Sequence, residues 1–350
     1  MKLAIIIVTY QAERFLDGLF SSLKQHTDLG DIEIVVVDNA SSDGTLAELS
    51  RVSQAWANLH VLPQATNTGF AEGNNIGLRW ARERGAAFAL LLNHDVEVTP
   101  HWLQPLLDVM HARPEVAAAQ PLVVLYHEPN LINTAGNQLH FCGFGYCGDY
   151  RQTIDSVRVE QGIRSVAFAS GAALLLRMEA LARSGDFDEK LFLYHEDCDL
   201  QIRLRQLSYD CVLVPESRVL HKYQEHFSAR KYALLDRNRW LVLLKDWPWA
   251  RLLVAAPALA GTELAVLAFA ARHGWLREKL ASYGEILRLL PAVARDRRAV
   301  QAIRSQQATD GAQLTGRICF PGLDHPVVTR VANPLLSAYW WLARRVLRVP

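Results

Sequence analysis

Short apolar runs that stop at a polar side chain recur along the first hundred residues, with helical patterns between them. The run "LAIIIVTY" (3–10) is rich in β-branched residues and has the length of a strand, and "IEIVVVD" (32–38) repeats the pattern before an acid. "NLHVLP" (58–63) and "AFALLLNHDVEV" (87–98) follow as a third and a fourth strand. Continuous apolar strands that alternate with helices predict an α/β fold with a mostly parallel sheet flanked by helices.

Three of the predicted strands end in side chains able to bind a ligand, namely Thr9, Asp38 and Asp95. In a parallel sheet the carboxyl ends of the strands lie along one edge, so these side chains should converge there, where α/β proteins place ligands. Polar residues also simply end strands, but that explanation accounts poorly for acids at two neighbouring strand ends. We therefore expect a binding site at this edge.

The stretch "TGFAEGNN" (68–75) brings glycines to the start of a predicted helix. Backbone N–H groups without partners and the helix dipole favour phosphate at such a position. Gly73 and Asn74 are the candidate phosphate-side residues, although glycine and asparagine also make ordinary turns. The stretch by itself leaves both explanations open.

Past residue 100 the pattern becomes mixed. "FASGAALLLRMEAL" (168–181) predicts a strand and then a helix, a further helix opens near Glu196, and residues 211–214 form another strand. The five cysteines include no closely spaced pair matched by a second pair of Cys or His, so we expect reduced thiols rather than zinc. The apolar N-terminal run is better explained as a first buried strand than as a signal peptide.

The last third of the chain differs in composition. Residues 231–350 hold 18 Lys and Arg against 8 Asp and Glu, although the whole chain has a net charge of only +1. Residues 252–271 are long enough to cross a bilayer, but Pro257 and Glu263 interrupt them. The segment could lie in a membrane interface beside anionic headgroups, span the membrane, or pack as a soluble helical subdomain. We expect the first arrangement.

Six motifs occur in an order that resembles family 2 glycosyltransferases: "IIIVTYQ", "VVVDNASSDGT", "NTGFAEGNNIGL", "LLLNHDVEV", "SGAALLLR" and "FLYHEDCDLQIRLRQLSYDCVLVPESRVLH". The resemblance implies the GT-A fold and an inverting transfer from a nucleotide sugar. It covers residues 1–240 as a catalytic domain and leaves 241–350 as a helical, basic and aromatic extension. Within the family the chain looks most like the bacterial rhamnosyltransferases that build cell-surface polysaccharide.

The resemblance also implies roles for the strand-end residues. Asp38 would accept the N3–H of uracil or thymine, which cytosine lacks, with Thr9 and Tyr10 beside it. The triplet 93–95 occupies the place of the family's metal-binding D-x-D motif, with Asn93 in place of the first acid and Asp95 as the acid that matches. His221 aligns with a histidine that completes the metal shell, which implies Mn²⁺ or Mg²⁺. His94 is more simply a strand-end side chain, and a hydrogen-bonded strand-end residue is an equal alternative for His221.

The family's E-D motif falls on Glu196 and Asp197. By resemblance Asp197 is the general base that takes the proton of the acceptor hydroxyl, and Glu196 orients the acceptor or the base. We expect the helix N-terminus to keep Asp197 ionised. Acids in a first helical turn are also common without any catalytic role. Arg237 and Arg239 could contact the diphosphate, but basic residues next to a membrane segment need no such contact.

These expectations combine into an enzyme at the cytoplasmic face of a membrane. It would move a sugar, with dTDP-rhamnose as the expected donor, to a hydroxyl of a glycan or a lipid-linked acceptor. UDP-hexose or UDP-N-acetylhexosamine is the alternative donor. A sugar nucleotidyltransferase is disfavoured because "VTYQAERFL" lacks a glycine-rich basic loop, and a non-catalytic binding module is disfavoured because Asp197 is present. No nucleic acid partner is expected.

Overall fold

The computed structural model describes residues 2–156, 162–224, 228–319 and 326–347, and it divides into two compact units. The first unit comprises Met1–Asn137, Cys147–Leu204 and Tyr209–Gln224. The second comprises Gln138–Tyr146, Arg205–Ser208 and Glu225–Pro350. The strand-end residues and the acidic pair all belong to the first unit, whereas Arg237 and Arg239 belong to the second.

The regular elements follow the predicted alternation through the first hundred residues. The strands are β1 (Leu3–Thr9), β2 (Ile32–Asp38), β3 (Leu59–Pro63), β4 (Phe88–Leu92), β5 (Val96–Val98), β6 (Val116–Leu125), β7 (Ile132–Thr134), β8 (Asn137–His140), β9 (Gly145–Cys147), β10 (Arg164–Ser165), β11 (Ala173–Arg177), β12 (Asp210–His221) and β13 (Leu314–Thr315). The α-helices are α1 (Glu13–His26), α2 (Thr45–Ala55), α3 (Gly69–Glu83), α4 (Gln104–Ala112), α5 (Met178–Ser184), α6 (Glu196–Gln206), α7 (Ala229–Asp246), α8 (Trp249–Arg272), α9 (Leu276–Ala302) and α10 (Asn333–Val346).

The first unit is built on a ten-stranded sheet of order β10-β12-β6-β11-β4-β1-β2-β3, with β5 on β12 and β7 on β6. Strands β3, β2, β1 and β4 are parallel, and β11 lies antiparallel between β4 and β6. The α/β class with a mostly parallel, helix-flanked sheet is thus confirmed. The fourth strand, predicted as one run to residue 98, is two strands, because a turn at 93–95 redirects the chain from β1 to β12.

The sheet is buried on both faces, which explains its uninterrupted apolar strands. In β1, Ile5 and Ile7 belong to a core shared with Leu16 of α1, whereas Ile6 belongs to the core on the opposite face with Leu78 of α3. All five of these side chains are fully buried. Because alternate residues of a strand point to opposite faces, β1 serves both cores.

Close packing of α3 on β1 requires glycine at regular intervals. Gly69, Gly73 and Gly77 follow one another at four-residue spacing, so they share one face of the helix. A Cβ on Gly77 would lie 2.3 Å from Cγ2 of Ile6, and one on Gly73 would lie 2.9 Å from Cγ1 of Val8. The glycines of this helix therefore let it approach the carboxyl end of β1 directly.

The second unit is mainly helical. Helices α7 and α9 pack together, and α8 contacts both α9 and α10. Strand β13 pairs in parallel with β8. The predicted boundary after residue 240 falls inside α7, and as a division between catalytic domain and extension it stays a prediction. Among the described residues, α8 is long and apolar enough to cross a membrane, judged by length and composition alone.

Candidate active site

The carboxyl ends of β1 and β2 meet through a direct hydrogen bond. Thr9 and Asp38 are register partners, and the Thr9 hydroxyl donates to Oδ1 of Asp38 over 2.9 Å. The backbone N–H of Ser41 donates to Oδ2 over 3.0 Å, and the Ser41 hydroxyl donates to Oδ1 over 2.6 Å. Asp38 is fully buried, with one acceptor position of Oδ2 still free of these bonds.

The two loops that follow these strands are fastened to each other. Oε1 of Gln11 accepts from the backbone N–H groups of Ser42 and Asp43 over 3.0 and 3.1 Å, and Gln11 itself has a φ of +51°. Tyr10, the residue between Thr9 and Gln11, has 46% of its surface exposed. Its predicted place beside the base stays a prediction.

Asn39 ties this edge to the start of α3. Its Nδ2 donates to the carbonyl of Gly69 over 2.9 Å, and its Oδ1 accepts from the Thr68 hydroxyl over 2.8 Å. Gly73 packs against the Asn39 amide, and the buried Asn74 donates through Nδ2 to the carbonyl of Phe70 over 2.8 Å. These contacts give both predicted phosphate-side residues a packing role, and their contact with a donor stays a prediction.

The turn after β4 directs Asp95 toward β12. The backbone N–H of Asn93 donates to the carbonyl of Ala172 over 2.9 Å, and Nδ1 of His94 bonds the carbonyl of Val8 over 3.0 Å. His94 is thus held at the end of β1, in agreement with its prediction as a strand-end side chain. The backbone N–H of Lys222 donates to the carbonyl of Asp95 over 2.9 Å, which fixes the turn against the end of β12.

Asp95 and His221 come together although 126 positions of sequence separate them. Nε2 of His221 lies 3.3 Å from Oδ1 of Asp95, and both groups are largely buried. Nδ1 of His221 donates to Oδ1 of Asn133 over 2.8 Å. With its proton on Nδ1, a neutral imidazole turns the acceptor atom Nε2 toward the Asp95 carboxylate.

Two acceptor atoms that face each other in a buried place require a cation between them, either a proton or a metal. Burial alone would raise the pKa of Asp95, but the hydrogen bonding and charge of His221, together with His94, outweigh it and hold that pKa below its ordinary value. A separation of 3.3 Å suits adjacent ligands of an octahedral cation, which stand about 3 Å apart for bonds of about 2.1 Å. The residues therefore fit a divalent cation.

The protein supplies few of the ligands that a divalent cation at this site would need. Within the described ranges no cluster of three or more His, Cys, Asp and Glu side chains is arranged to hold a metal. Asp95 and His221 offer one oxygen and one nitrogen, and Asn93 stands two residues before Asp95. A cation there would need its remaining ligands from water or from phosphate oxygens.

The acidic pair opens α6, as predicted. The backbone N–H of Gly171 donates to Oδ2 of Asp197 over 3.1 Å, and the N–H of Cys198 donates to Oδ1 over 2.8 Å. Each carboxylate oxygen of Asp197 therefore keeps one further lone pair, and the residue remains partly exposed. Glu196 is 5% exposed, and among the described residues its Oε2 has no hydrogen-bond partner.

Asp197, which we expect to be kept ionised by the helix N-terminus, lies where burial opposes its charge. Burial raises the pKa of Asp197 to about 6, and the backbone hydrogen bonds from Gly171 and Cys198 only partly oppose it. Burial, together with the charges of Asp197 and Asp199, raises the pKa of Glu196 well above its ordinary value. At neutral pH Asp197 is thus mainly ionised, and the raised pKa of Glu196 favours its protonated form more than in a free glutamate.

The segment that leads into α6 has a strained backbone. Phe192, Tyr194 and His195 have φ values of +61°, +71° and +66°, in the left-handed region that residues with side chains seldom adopt. The carbonyl of Phe192 accepts from the N–H groups of Phe70 and Ala71 over 2.7 and 3.1 Å. A strained backbone persists only where surrounding contacts fix its conformation. Here those contacts connect the start of α3 to the segment that leads into α6.

Residues 171 and 172 connect the turn at 93–95, which contains the predicted metal ligand Asp95, to the acidic pair at the start of α6. Gly171 donates its N–H to Asp197, and the carbonyl of the next residue, Ala172, accepts from the N–H of Asn93. A side chain on Gly171 would meet the ring of Phe70 at 3.1 Å. The motif "SGAALLLR" therefore positions the two halves of the site relative to each other.

Sequence reasoning missed several positioning residues. Asn39 follows Asp38 directly, and Gln201 stands four residues after Asp197 on the same helix, where its Oε1 accepts from the N–H of Ala169 over 2.6 Å. Their spacing from the predicted acids could have indicated both. Nothing in the sequence near Asn133 indicates that it bonds His221, because this contact joins β7 and β12.

Residues 4–181, just over half of the chain, match the profile described as "Glycosyl transferase family 2". The chain belongs to this family. Among relatives of this glycosyltransferase is the N-acetylglucosaminyl-diphospho-decaprenol L-rhamnosyltransferase of Mycobacterium tuberculosis, 28% identical over 65% of this chain and 78% of the relative. The dTDP-rhamnosyl transferase RfbF of Shigella flexneri is 23% identical over 69% of this chain and 79% of that protein.

Solved structures show the same GT-A fold. The glycosyltransferase superposes on GalNAc-T7, solved with UDP, GalNAc and Mn²⁺, with a TM-score of 0.60 and 16% identity over 74% of this chain and 51% of that one. It also superposes on residues 1–349 of Staphylococcus aureus TarS in complex with UDP, with a TM-score of 0.53 and 17% identity over 89% of both chains. The predicted fold and family are therefore confirmed.

The remaining predicted residues lie in the second unit of the glycosyltransferase. Arg237 pairs with Glu285 over 2.8 Å. Arg239 is buried and pairs with Asp236 over 2.7 Å and with Glu263 over 2.6 Å. These ion pairs account for both guanidinium groups within the helical unit, without a phosphate.

Proposed function

We propose that this glycosyltransferase transfers a sugar from a nucleotide-diphosphate donor to an acceptor hydroxyl in a single inverting step, with Asp197 as the general base. The observation that carries the proposal is the state of the Asp197 carboxylate. It is fixed by two backbone N–H groups, is partly open to solvent, and has a pKa raised to about 6 by burial. A base poised just below neutral pH is ionised in use and still basic enough to accept a proton.

The step needs no covalent intermediate. The acceptor oxygen attacks the anomeric carbon from the face opposite the diphosphate, and a free lone pair of Asp197 takes its proton as the new carbon–oxygen bond forms. The bond from the anomeric carbon to the diphosphate oxygen breaks, and the nucleoside diphosphate leaves with the electron pair. Burial and the neighbouring acids raise the pKa of Glu196, and its Oε2, which has no hydrogen-bond partner among the described residues, would contact the acceptor or the sugar.

The donor's two ends would be held by the two sheet-edge clusters. Asp38 keeps an acceptor position for the N3–H of uracil or thymine, provided that the loop carrying Ser41 shifts enough to admit the base. Asp95 and His221 would hold Mn²⁺ or Mg²⁺ against the diphosphate, and Asn133 would keep Nε2 of His221 directed at the ion. A bound divalent cation would neutralise charge on the departing diphosphate.

We infer dTDP-rhamnose as the donor and a lipid-linked glycan as the acceptor. The support is the names of two relatives, one an N-acetylglucosaminyl-diphospho-decaprenol L-rhamnosyltransferase and the other a dTDP-rhamnosyl transferase. A pyrimidine-binding Asp38 suits dTDP and UDP equally, so a UDP-hexose is the donor to compare. The acceptor's lipid would bring the enzyme to the cytoplasmic face of the membrane, in cell-surface polysaccharide synthesis.

The test is a transfer assay of the full chain with a membrane extract that contains lipid-linked acceptors, in Mn²⁺ buffer. dTDP-rhamnose, UDP-galactose and UDP-N-acetylglucosamine are offered separately, and the anomeric configuration of the glycolipid product is read by NMR. We expect transfer from dTDP-rhamnose with the configuration of the new bond opposite to that of the donor. Retention of configuration would refute the single displacement, and transfer from a UDP-sugar alone would refute the donor.

Two variants separate catalysis from folding. Asp197→Asn should lower kcat by about 10²–10⁴-fold, the range typical for a removed general base. Glu179→Gln is the matched control, because Glu179 is also an acid in the first turn of a helix, α5, and is exposed. It should leave kcat unchanged. Full turnover by Asp197→Asn would exclude the proposed base.

A further inference from the structure

The outer half of α8 is apolar along its whole length. Successive residues of an α-helix turn by about 100°, and one half of α8 is exposed from Trp249 to Ala271 without a single charged side chain. Trp249, Leu253 and Leu264 are 63%, 71% and 69% exposed. With 24 residues the whole of α8 is about 36 Å long, and the apolar strip runs along all but its last residue. An exposed apolar strip of this size is unusual on a protein surface that faces only water.

Apart from the exposed Arg272 at the C-terminal end, the charged side chains of α8 lie on its inner half, and both are paired. Arg251 pairs with the buried Asp310 over 2.7 Å. Glu263 pairs with Arg239 over 2.6 Å, and it also contacts Lys279 and the hydroxyl of Tyr283. The hydrogen bonds and opposite charges of these partners outweigh burial and hold the pKa of Glu263 at about 2. Crossing a bilayer would separate these charges from their partners, which argues against a spanning helix.

Two neighbouring helices flank the apolar strip. The Tyr339 hydroxyl of α10 donates to the carbonyl of Val254, and Glu263 contacts Lys279 of α9. Val254 and Glu263 are nine residues apart, which places them about 180° apart around the helix. Helices α9 and α10 therefore adjoin opposite sides of α8. They add exposed apolar residues of their own: Leu280, Leu287, Leu335, Trp341, Leu342 and Val346.

The exposed basic side chains around α8, α9 and α10 are arginines. Within the described part of residues 249–347, every aspartate and glutamate is buried or half-buried, and Glu285, whose side chain is 45% exposed, pairs with Arg237. The exposed basic residues are Arg272, Arg277, Arg288, Arg295, Arg298, Arg317, Arg330, Arg344 and Arg345. One guanidinium, that of Arg345, lies 3.5 Å over the ring of Trp341. Arginine binds phosphate through paired donors and gives up its hydration more readily than lysine.

We propose that α8, α9 and α10 form a membrane-docking surface that lies flat on an anionic phospholipid bilayer, with the apolar strip of α8 among the acyl chains and the arginines on lipid phosphates. A nucleic acid would satisfy the arginines but would leave the strip in water. A second copy bound face to face would bring two arginine-rich surfaces together, which costs free energy. The proposal deepens the membrane location given above, but it does not depend on the transferase chemistry.

The experiment is flotation of the full chain with vesicles of phosphatidylcholine, pure or with one lipid in three replaced by phosphatidylglycerol. We expect binding to the anionic vesicles to be at least about tenfold tighter. One kcal/mol per basic residue is about a factor of five, so the triple variant Arg288→Gln, Arg295→Gln, Arg298→Gln should lose about 100-fold. The double variant Leu253→Glu, Leu264→Glu should lose binding to both kinds of vesicle.

Matched controls lie in the first unit. Arg51→Gln, Arg79→Gln, Arg84→Gln removes the same charge from exposed positions, and Leu46→Glu places an acid on an exposed leucine. Both should bind like the wild type. Equal loss in these controls would show a general charge effect and would overturn the proposal. Equal binding of the wild type to neutral and anionic vesicles, or none to either, would overturn it as well.

Two further measurements cover variants that fail to fold and other occupants of the surface. Brominated lipids should quench the fluorescence of the wild-type chain, with less quenching in Trp249→Phe, and unquenched bound protein would refute burial of the strip. If the wild type forms a dimer and the Leu253→Glu, Leu264→Glu variant is monomeric, the surface binds a second copy of the chain. If the chain binds DNA and this binding needs the arginines but not the leucines, the surface binds nucleic acid. Either result would overturn the proposal. None of these readouts uses turnover, so their failure leaves the role of Asp197 standing, and the converse also holds.

Discussion

Asp197→Asn should make the protein more stable while it removes the activity. The carboxylate is ionised at neutral pH in a place that disfavours its charge, because burial raises its pKa from 3.8 to about 6. For an acid whose pKa is higher in the folded state, the ionised form is the one that the fold disfavours. The cost therefore begins as the pH rises above about 4, grows until about pH 6, and is constant above it.

The magnitude follows from the two pKa values. At 1.36 kcal/mol per pKa unit, the ionised carboxylate costs the folded state about 3 kcal/mol at pH 8 and about 1.6 kcal/mol at pH 5. An asparagine carries no charge, but its NH₂ group would face one of the two backbone N–H groups that now donate to the carboxylate, which costs about 1 kcal/mol. The expected net gain in the free energy of unfolding is about 2 kcal/mol at pH 8 and about 0.5 kcal/mol at pH 5.

Urea unfolding of the wild type, Asp197→Asn and Glu179→Gln at the two pH values measures this gain, with kcat measured on the same preparations. Glu179→Gln should change stability by less than about 0.5 kcal/mol at either pH, as an exposed substitution does. A destabilised Asp197→Asn at pH 8 would mean that the carboxylate is a structural group, and an equal gain at both pH values would mean that its pKa is not raised. The wild-type kcat/KM should fall below about pH 6, because protonated Asp197 cannot act as a base.

Three further changes test the site and the packing. His221→Gln should weaken Mn²⁺ binding in the presence of UDP by about 10–100-fold by calorimetry, and unchanged affinity would remove His221 from the metal site. Gly77→Ala should lower the free energy of unfolding in urea by about 1–3 kcal/mol, because its Cβ would lie 2.3 Å from Ile6. The control Gly284→Ala has nothing within 4 Å of its Cβ and should raise that free energy by about 0.5–1 kcal/mol. Equal effects of the two substitutions would contradict the close-packing explanation. Glu263→Leu should lower the free energy of unfolding by about 3 kcal/mol, because the buried Lys279 and Arg239 would then share Asp236 as their one acidic partner. An unchanged free energy of unfolding would show that the ion pairs of Glu263 contribute nothing to stability.

The sequence by itself determined the α/β class and the edge of the sheet that carries the site. Apolar periodicity is a local property, so uninterrupted runs such as β1 and β2 predict strands buried on both faces. The rule that parallel strands share their carboxyl ends then brings Thr9 and Asp38 together, and they are indeed joined by a hydrogen bond. The sequence likewise predicts a helix that begins near Glu196, because the start of a helix depends on a few adjacent residues.

Long-range contacts decided what the sequence could not. The pairing of Asp95 with His221, and the bond from His221 to Asn133, depend on β5, β12 and β7 meeting in the sheet, and no local pattern encodes that register. The glycines of α3 fit phosphate and close packing equally well until the distances to Ile6 and Val8 are known.

The ionisation of Asp197 was also decided by the tertiary structure. A helix N-terminus favours the charge and burial opposes it, so the sign of the shift in pKa depends on how much protein surrounds the carboxylate. Burial is set by the packing of α6 against the strained stretch directly before it and against more distant segments such as the backbone at Gly171. Sequence fixes which groups can ionise, and the enclosing fold sets the pH at which they do.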